Sequence, residues 1–196
     1  MNSVDVCEGR YIDLVYIARR MREIDAQEIW PVTFASTPED LASGIVHGKG
    51  YKFVARYNGL PVSAWGATLS RPGVVGVWMF ATDLWSKVAL TVTRHIRKDL
   101  MLRLIEDDLV RAECWSSSDH HTAHKWLNIL GAVKDAELED YGLNRVPYYC
   151  FSWTRTRLKK EGKFDVYRST SFKATADDNA TSTTNAGSSA TSTNAR

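Results

Sequence analysis

The stretch from Val74 to Ile105 limits the possible folds of this chain more than any other part of its sequence. It begins with an apolar run, Val74 to Phe80, that is rich in β-branched and aromatic residues and favours a buried strand. From Ser86 to Ile105 an apolar residue recurs at every fourth position, which places one apolar stripe on a helix. These residues are Val88, Val92, Ile96, Leu100 and Leu104. A strand therefore leads almost directly into a helix, and the unpaired N–H groups of such a first turn bind phosphate in many α/β proteins.

Size and charge narrow the class of protein. A chain of 196 residues that is 44% hydrophobic can bury one good core, and we expect one domain of roughly 150 residues with a tail. The net charge of +2 gives no reason to expect a positive potential over the whole surface that would attract nucleic acid. The amino terminus does not read as a signal peptide and no apolar run approaches about 18 residues, so we expect a cytoplasmic protein without a membrane segment.

Turn chemistry predicts an antiparallel meander that ends in the opening strand. Tyr51 to Tyr57 and Pro61 to Leu69 are predicted strands, and Asn58-Gly59 between them suits the positive φ angles of a tight hairpin. Arg71-Pro72-Gly73 supplies a second turn. The strand at Val74 is thus the third strand of the meander.

The rest of the chain adds helices and strands on either side of this meander. Tyr11 to Trp30 is predicted as one helix that ends at Pro31, and Thr37 is the expected cap of a short helix that ends near Gly48. The other elements are a strand at Val4 to Val6, a strand at Leu109 to Trp115, a helix at His121 to Leu130 with Asp119 as N-cap, and strands at Val133 to Glu139 and Val146 to Arg155. We predict a folded domain at residues 1–156, a basic arm at 157–173 and a disordered low-complexity tail at 174–196.

The histidines at the start of the last predicted helix are the clearest candidates for chemistry. His120 and His124 are four residues apart and could face one metal ion, but the sequence offers no third ligand, so capping, surface or partner contact is the preferred explanation. The neighbouring serines lack the Gly-x-Ser-x-Gly turn of a nucleophile. The three cysteines form no C-x-x-C pair and are expected to be free thiols: Cys7, Cys114 and Cys150. The residues alone therefore predict neither a metal site nor a catalytic side chain.

The predicted order of elements resembles the fold of GNAT acetyltransferases, and His120 to Ala132 resembles the fourth helix of that family. A closer resemblance is to the small internal virion, or morphogenesis, protein of short-tailed podophages, itself similar to GNAT enzymes. It covers Tyr51 to Arg155 and is carried by the following segments: Phe80 to Trp85, Ile96-Arg97-Lys98, Trp115 and Leu127 to Val133. The resemblance implies a GNAT-like α/β (α+β) fold, with a central mixed, mostly antiparallel sheet flanked by about four helices.

The same resemblance implies that two working parts of an acetyltransferase are missing. Active enzymes of the family carry a glycine-rich loop before the long helix, where the backbone approaches the diphosphate of acetyl-CoA, but Ala81 to Lys87 contains no glycine. The tyrosine that often serves as general acid aligns with Leu127, which cannot donate a proton. A helix-starting asparagine is replaced by His120.

From this resemblance we predict a structural or assembly protein of a podophage, which has lost acetyl transfer, needs no cofactor and resides in the host cytoplasm during assembly or in the virion. Its partners would be other virion proteins. The expected contact residues are Trp85, Arg97 and Lys98.

Two alternatives remain open. As a divergent acetyl-CoA-dependent N-acetyltransferase, the chain would pair Met79, Phe80 and Ala81 with the pantetheine. Trp85, Ser86 and Lys87 would cap the phosphates, and a water would replace the missing acid. The other alternative is a nucleic-acid contact through Arg155 to Lys173 during packaging or ejection, with steep salt dependence.

Overall fold

One seven-stranded sheet with helices on both faces organises residues 3–162, the part of the chain that the computed structural model describes. The strands are β1 (Val4–Glu8), β2 (Gly50–Tyr57), β3 (Leu60–Arg71), β4 (Val74–Ala81), β5 (Arg111–Ser117), β6 (Val133–Leu138) and β7 (Tyr148–Thr154). The helices are α1 (Tyr11–Ala18), α2 (Glu23–Ile29), α3 (Pro38–His47), α4 (Ala89–His95), α5 (Met101–Glu106), α6 (His121–Ile129) and α7 (Arg155–Lys160). The strand order is β1-β2-β3-β4-β5-β7-β6.

The predicted meander and sheet type are confirmed. Asn58 and Gly59 have φ angles of 50° and 81° and close the hairpin between β2 and β3. β4 then pairs antiparallel with β3. The pairing of β4 with β5 is parallel, while the other neighbouring strands in the described residues are antiparallel. The sheet is therefore mixed and mostly antiparallel, as predicted.

Each face of the sheet buries its own hydrophobic cluster. On one face, α1 and α3 pack against β2, β3 and β4 through Leu14, Ile17, Ala42, Val54, Ala64 and Phe80. On the other, α4, α5 and α6 pack against the sheet through a larger cluster that includes Val92, Leu104, Leu127, Trp65 and Phe151. Successive strand residues point to opposite faces, so Phe80 faces α1 while its neighbour Met79 packs against the second cluster.

The predicted helix from Tyr11 to Trp30 is wrong in one respect, because it is two helices separated by a turn. The break leaves the N–H of Arg22 free to donate to the carbonyl oxygen of Ala81, at 2.9 Å. Helix α2 thereby docks against the end of β4. The predicted N-cap Asp119 is also wrong, since His120 occupies that position and makes no side-chain cap, whereas Thr37 caps α3 as predicted by accepting from the N–H of Asp40.

The predicted long helix has an irregular start and centre. A 3₁₀ turn, Asp83–Lys87, precedes α4, and Thr82 accepts a hydrogen bond from the N–H of Leu84 there. A π turn, Ile96–Leu100, joins α4 to α5. The apolar stripe nevertheless faces the core, with Val88, Val92 and Leu104 buried.

The carboxyl-terminal part of the described chain is helical. Helix α7 crosses the predicted boundary between the domain and the basic arm, and its Leu158 is buried against the larger cluster. The rest of the predicted arm and the whole predicted tail, residues 163–196, lie outside the described residues, and so does most of the predicted nucleic-acid contact. No helix within residues 3–162 is long and apolar enough to cross a lipid bilayer.

Candidate functional site

Strands β4 and β5 separate from each other after a short parallel pairing. The pairing runs from Val74 opposite Arg111 to Gly76 opposite Glu113, although both strands continue for several residues. A cavity of about 460 Å³ fills the gap, and we call it the cleft. Its walls come from β4, β5 and α6 and include Val77, Met79, Cys114, Ser116, Ala123 and Leu127.

The exposed edge of β4 offers backbone hydrogen-bonding groups to the cleft. The N–H of Thr82 donates to the carbonyl oxygen of Val62 on the β3 side, at 2.8 Å, whereas the N–H of Ala81 points the other way, to Asp25. Because the backbone groups of a strand alternate in direction, the N–H and C=O groups of Met79 and Val77 lie on the β5 side of β4. The pairing of Gly76 with Glu113 uses the N–H of Val77, so the C=O of Val77 and both groups of Met79 face the cleft. Such an edge can pair with an extended, amide-bearing ligand.

Helix α2 closes one end of the cleft with two carboxylates. Asp25 and Glu28 are three residues apart and so lie on one side of the helix. Asp25 Oδ2 accepts from the N–H of Ala81 at 2.9 Å. Glu28 Oε1 accepts from the N–H of Ser117 at 2.7 Å and from Ser116 Oγ at 2.6 Å. The helix therefore bridges the ends of the two strands where they no longer pair with each other.

A buried histidine completes this end of the cleft. His120 Nδ1 lies 2.9 Å from Glu28 Oε2, its Nε2 lies 4.0 Å from Asp25 Oδ1, and the residue is 5% exposed. An ionised glutamate is an acceptor only, so we assign the proton of the neutral ring to Nδ1, which leaves Nε2 as the basic nitrogen. We call these two residues the Glu28–His120 pair.

Asp25 and Arg22 form a second charged pair beside it. Arg22 Nη2 lies 2.7 Å from Asp25 Oδ1, and its Nε donates to Oδ2 at 3.0 Å. Burial raises the pKa of Asp25, and the charge and hydrogen bonds of Arg22 oppose that rise. The guanidinium also lies 5.6 Å from the ring of Trp85, which is half-buried in the wall of the cleft.

The opening toward the α1 and α3 face is lined by aromatic rings. Trp115 and Tyr141 stack with their ring centroids 4.9 Å apart. The ring of Trp78 lies directly over Gly66, where an added Cβ would be 2.6 Å from the ring. Ring faces of this kind attract cations.

The charge on the described lining of the cleft is predominantly negative. It carries the carboxylates of Asp25, Glu28 and Glu113 and the guanidinium of Arg22. Glu113 accepts a hydrogen bond of 2.5 Å from Nε of Arg111, a residue that does not line the cleft. This lining favours a cationic or amine ligand over an anionic one.

The structure distributes the predicted cofactor residues unevenly around the cleft. Met79 lines it and Ala81 lies at its end, bonded to α2. The side chain of Phe80 lies in the cluster on the opposite face. Trp85 lines the cleft and meets Trp126 edge-on at 5.5 Å. The side chains of Ser86 and Lys87 are exposed on the 3₁₀ turn.

Of the remaining predicted residues, some line the cleft and others lie away from it. Arg97 and Lys98, the predicted partner contacts, are exposed on the π turn. Leu127, at the position of the family's tyrosine, is buried and lines the cleft. The rings of His120 and His124 have separate partners, Glu28 and the carbonyl oxygen of Ser117. Within the described residues no group of three acidic, histidine or cysteine side chains is arranged to hold a metal ion.

Sequence reasoning missed Asp25 and Glu28 and did not predict that His120 is buried against Glu28. The two carboxylates lie on a short helix that reads as an ordinary charged surface, and Glu28 meets His120 across 92 residues of chain. The one local signal was the i, i+3 spacing of two acids beside a proline-terminated helix end, which on its own is common on solvated helices.

Solved structures with this fold include acetyltransferases. An acetyltransferase of the GNAT family from Streptococcus pneumoniae matches 78% of this chain and 99% of its own length at 12% identity, with a TM-score of 0.52. An N-acetyltransferase from Staphylococcus aureus matches 78% and 98% at 13% identity, with a TM-score of 0.54. The protein yncA from Salmonella typhimurium, solved with its cofactor acetyl-CoA, matches 77% and 93% at 13% identity, with a TM-score of 0.57. Neither a family model nor a curated protein matches the chain.

These comparisons confirm the predicted GNAT-like fold and correct the predicted function. At such identities they establish the fold alone. The prediction of a structural or assembly protein of a podophage virion is wrong, because the neighbours that share the fold are acetyltransferases and give no support to a virion role. The virion prediction was based on a resemblance in a few short segments, whereas the comparison of solved structures uses the fold of most of the chain.

Proposed function

We propose that this protein is a GNAT-type N-acetyltransferase that takes its acetyl group from acetyl-CoA. The observation that carries the proposal is the separation of β4 from β5 after Gly76, which directs backbone groups of β4 into a cleft that also contains the Glu28–His120 pair. A donor-binding edge and a buried base thus share one cavity. The negative lining of that cavity suits an amine acceptor.

The cleft fits one part of the donor better than the other. The C=O group of Val77 and the N–H and C=O groups of Met79 would hold the amide-bearing pantetheine arm as an added strand. The 3₁₀ turn offers a poorer phosphate site, since it has no glycine and its Leu84 and Trp85 N–H groups already donate to Thr82. The exposed ammonium of Lys87 would supply the missing positive charge there.

The Glu28–His120 pair can act as the general base, and the imidazolium that forms can then act as the general acid that is missing where Leu127 replaces the family's tyrosine. Acetyl-CoA, when bound, supplies a thioester carbonyl that is open to attack by an amine. Glu28 holds the Nδ1–H of His120, which keeps Nε2 available to accept a proton from that amine. The imidazolium that results is stabilised by Glu28 at 2.9 Å and by Asp25 at 4.0 Å.

The bonds and charges balance without a further reactant. The amine nitrogen forms a bond to the acetyl carbon, the carbon–sulfur bond breaks, and the electron pair of that bond leaves with the thiolate. The amine proton passes to His120 and from there to the thiolate or to solvent. Transfer of an acetyl group therefore needs from this chain only positioning, a base and exclusion of water.

Binding and turnover test the proposal in that order. We expect acetyl-CoA and CoA to raise the melting temperature and to bind in calorimetry, and thiol release from acetyl-CoA to depend on an added amine. His120→Gln should lower the rate by about a hundredfold or more while it preserves acetyl-CoA binding. His121→Gln, at the exposed neighbouring position, is the matched control and should leave the rate unchanged. An absence of binding at millimolar acetyl-CoA would refute the proposal.

A further inference from the structure

The cleft extends into the core beneath α4, α5 and α6, where a packed protein normally has no room. The walls there are buried side chains of the larger hydrophobic cluster, and we call this space the inner chamber: Leu100, Met101, Leu104, Ala112, Leu127 and Trp153. Protein cores interdigitate closely, with few voids larger than a water molecule. Pockets with such predominantly apolar walls normally bind an apolar group.

The long helix departs from α-helical geometry where it forms the wall of this chamber. The π turn Ile96–Leu100 inserts there, and both of its terminal residues line the cavity. A π turn is less stable than the α-helix around it and is found mostly at functional sites. The helix is therefore widened at the point where it faces the chamber.

A buried donor without a hydrogen-bond partner among the described residues gives the chamber a polar feature. Trp65 is 1% exposed and lines the cavity, and its Nε1–H has no hydrogen-bond partner among the described residues. In the sheet register Trp65 lies opposite Met79, whose backbone faces the cleft. Buried polar groups normally have partners, so this donor points to a ligand oxygen beside Met79.

We propose that the acyl group carried by the donor is longer than acetyl and bears an oxygen acceptor, such as a hydroxyl, that meets Trp65. This inference rests on the proposed function: the transfer from a CoA thioester to an amine is the same, but acetyl-CoA is a weaker donor than its longer homologues. A thioester held beside Met79 places the acyl chain next to Trp65, and the chamber continues from there between α5 and α6. The opposite opening, with Trp78, Trp115 and the carboxylates, is left for the amine.

Affinity across a series of acyl-CoA molecules tests the inference on the unmodified full chain. We expect the dissociation constant in calorimetry to fall from acetyl-CoA to butyryl-CoA by roughly fifteenfold, since each of the two added methylenes strengthens binding about fourfold when it is buried. A further gain is expected for 3-hydroxybutyryl-CoA. Equal affinities for acetyl-CoA and butyryl-CoA overturn the inference and leave the proposed function intact. Failure of CoA and of every acyl-CoA to bind overturns both.

Two substitutions assign the effect to the chamber. Leu104→Trp fills it, and we expect loss of the preference for butyryl-CoA with acetyl-CoA binding retained, which also shows that the variant is folded. Leu90→Trp adds the same ring to α4 at a position that is 61% exposed and should keep the preference. Retention of the preference in Leu104→Trp overturns the assignment to this chamber.

The role of Trp65 has its own test. Trp65→Phe removes the Nε1–H and keeps an aromatic ring in contact with Phe53 and His95, whose ring centroids lie 5.9 and 5.3 Å from that of Trp65. We expect the variant to bind butyryl-CoA as the parent does and to lose the additional affinity for 3-hydroxybutyryl-CoA. If the hydroxylated chain keeps its advantage, Trp65 is not its donor.

Discussion

Replacement of Glu28 by alanine is expected to lower the free energy of unfolding by about 3 to 5 kcal/mol. The carboxylate accepts hydrogen bonds from Ser116 Oγ at 2.6 Å, from the N–H of Ser117 at 2.7 Å and from His120 Nδ1 at 2.9 Å. Hydrogen bonds to a charged group contribute about 1.5 to 3 kcal/mol each. Water that enters the space of the lost side chain can replace some of these hydrogen bonds. The expected loss of about 3 to 5 kcal/mol is therefore smaller than the sum of the three contributions.

Equilibrium unfolding in urea measures the change, and α2 itself provides the control. Glu23 is exposed at the start of the same helix, where its carboxylate bonds only with Gln27 among the described residues. Glu23→Ala should alter the free energy of unfolding by no more than about 0.5 kcal/mol. A loss below about 1 kcal/mol in Glu28→Ala would show that α2 does not hold the two strand ends together.

Three further expectations use the same assay. Burial lowers the pKa of His95 below its usual 6.5, so the unfolded chain binds more protons than the folded one as the pH falls below that value. The free energy of unfolding should therefore decrease in that pH range, and His95→Phe should make the decrease shallower. Gly66→Ala should cost about 1 to 3 kcal/mol, because the new Cβ would lie 2.2 Å from the carbonyl oxygen of Tyr51 and 2.6 Å from the ring of Trp78. Gly44→Ala in α3, where no atom lies within 4 Å of the added Cβ, should instead add about 0.5 to 1 kcal/mol. An unchanged pH profile in His95→Phe would contradict the lowered pKa of His95. A neutral Gly66→Ala would contradict the crowding at Gly66, and a destabilising Gly44→Ala would contradict the open space at Gly44.

Features set by neighbouring residues could be predicted from the sequence. The positive φ angles of Asn58 and Gly59 follow from side chains that tolerate them, and the cap at Thr37 follows from a hydroxyl placed three residues before an unpaired N–H. The strand at Val74–Ala81 follows from its apolar, β-branched composition. Each depends on a window of a few residues.

Features set by residues that are distant along the chain could not be predicted from the sequence. The break before α2 exists because Arg22 and Asp25 bond to Ala81, and nothing between residues 11 and 30 specifies that contact. The π turn had a signal that was misinterpreted. A strict four-residue step drifts about 40° per repeat around an ideal α-helix, and the wider turn at Ile96–Leu100 compensates for part of that drift.

The bridge formed by α2 also has a consequence for the order of folding. The contacts of Glu28 with Ser116, His120 and Tyr148 span 88 to 120 residues of chain. During synthesis α2 leaves the ribosome long before any of them, and closing so large a loop costs entropy that only the finished sheet can offset. The cleft should thus be among the last parts to form, and a stalled or truncated chain that ends before Tyr148 would have most of its strands but no closed cleft.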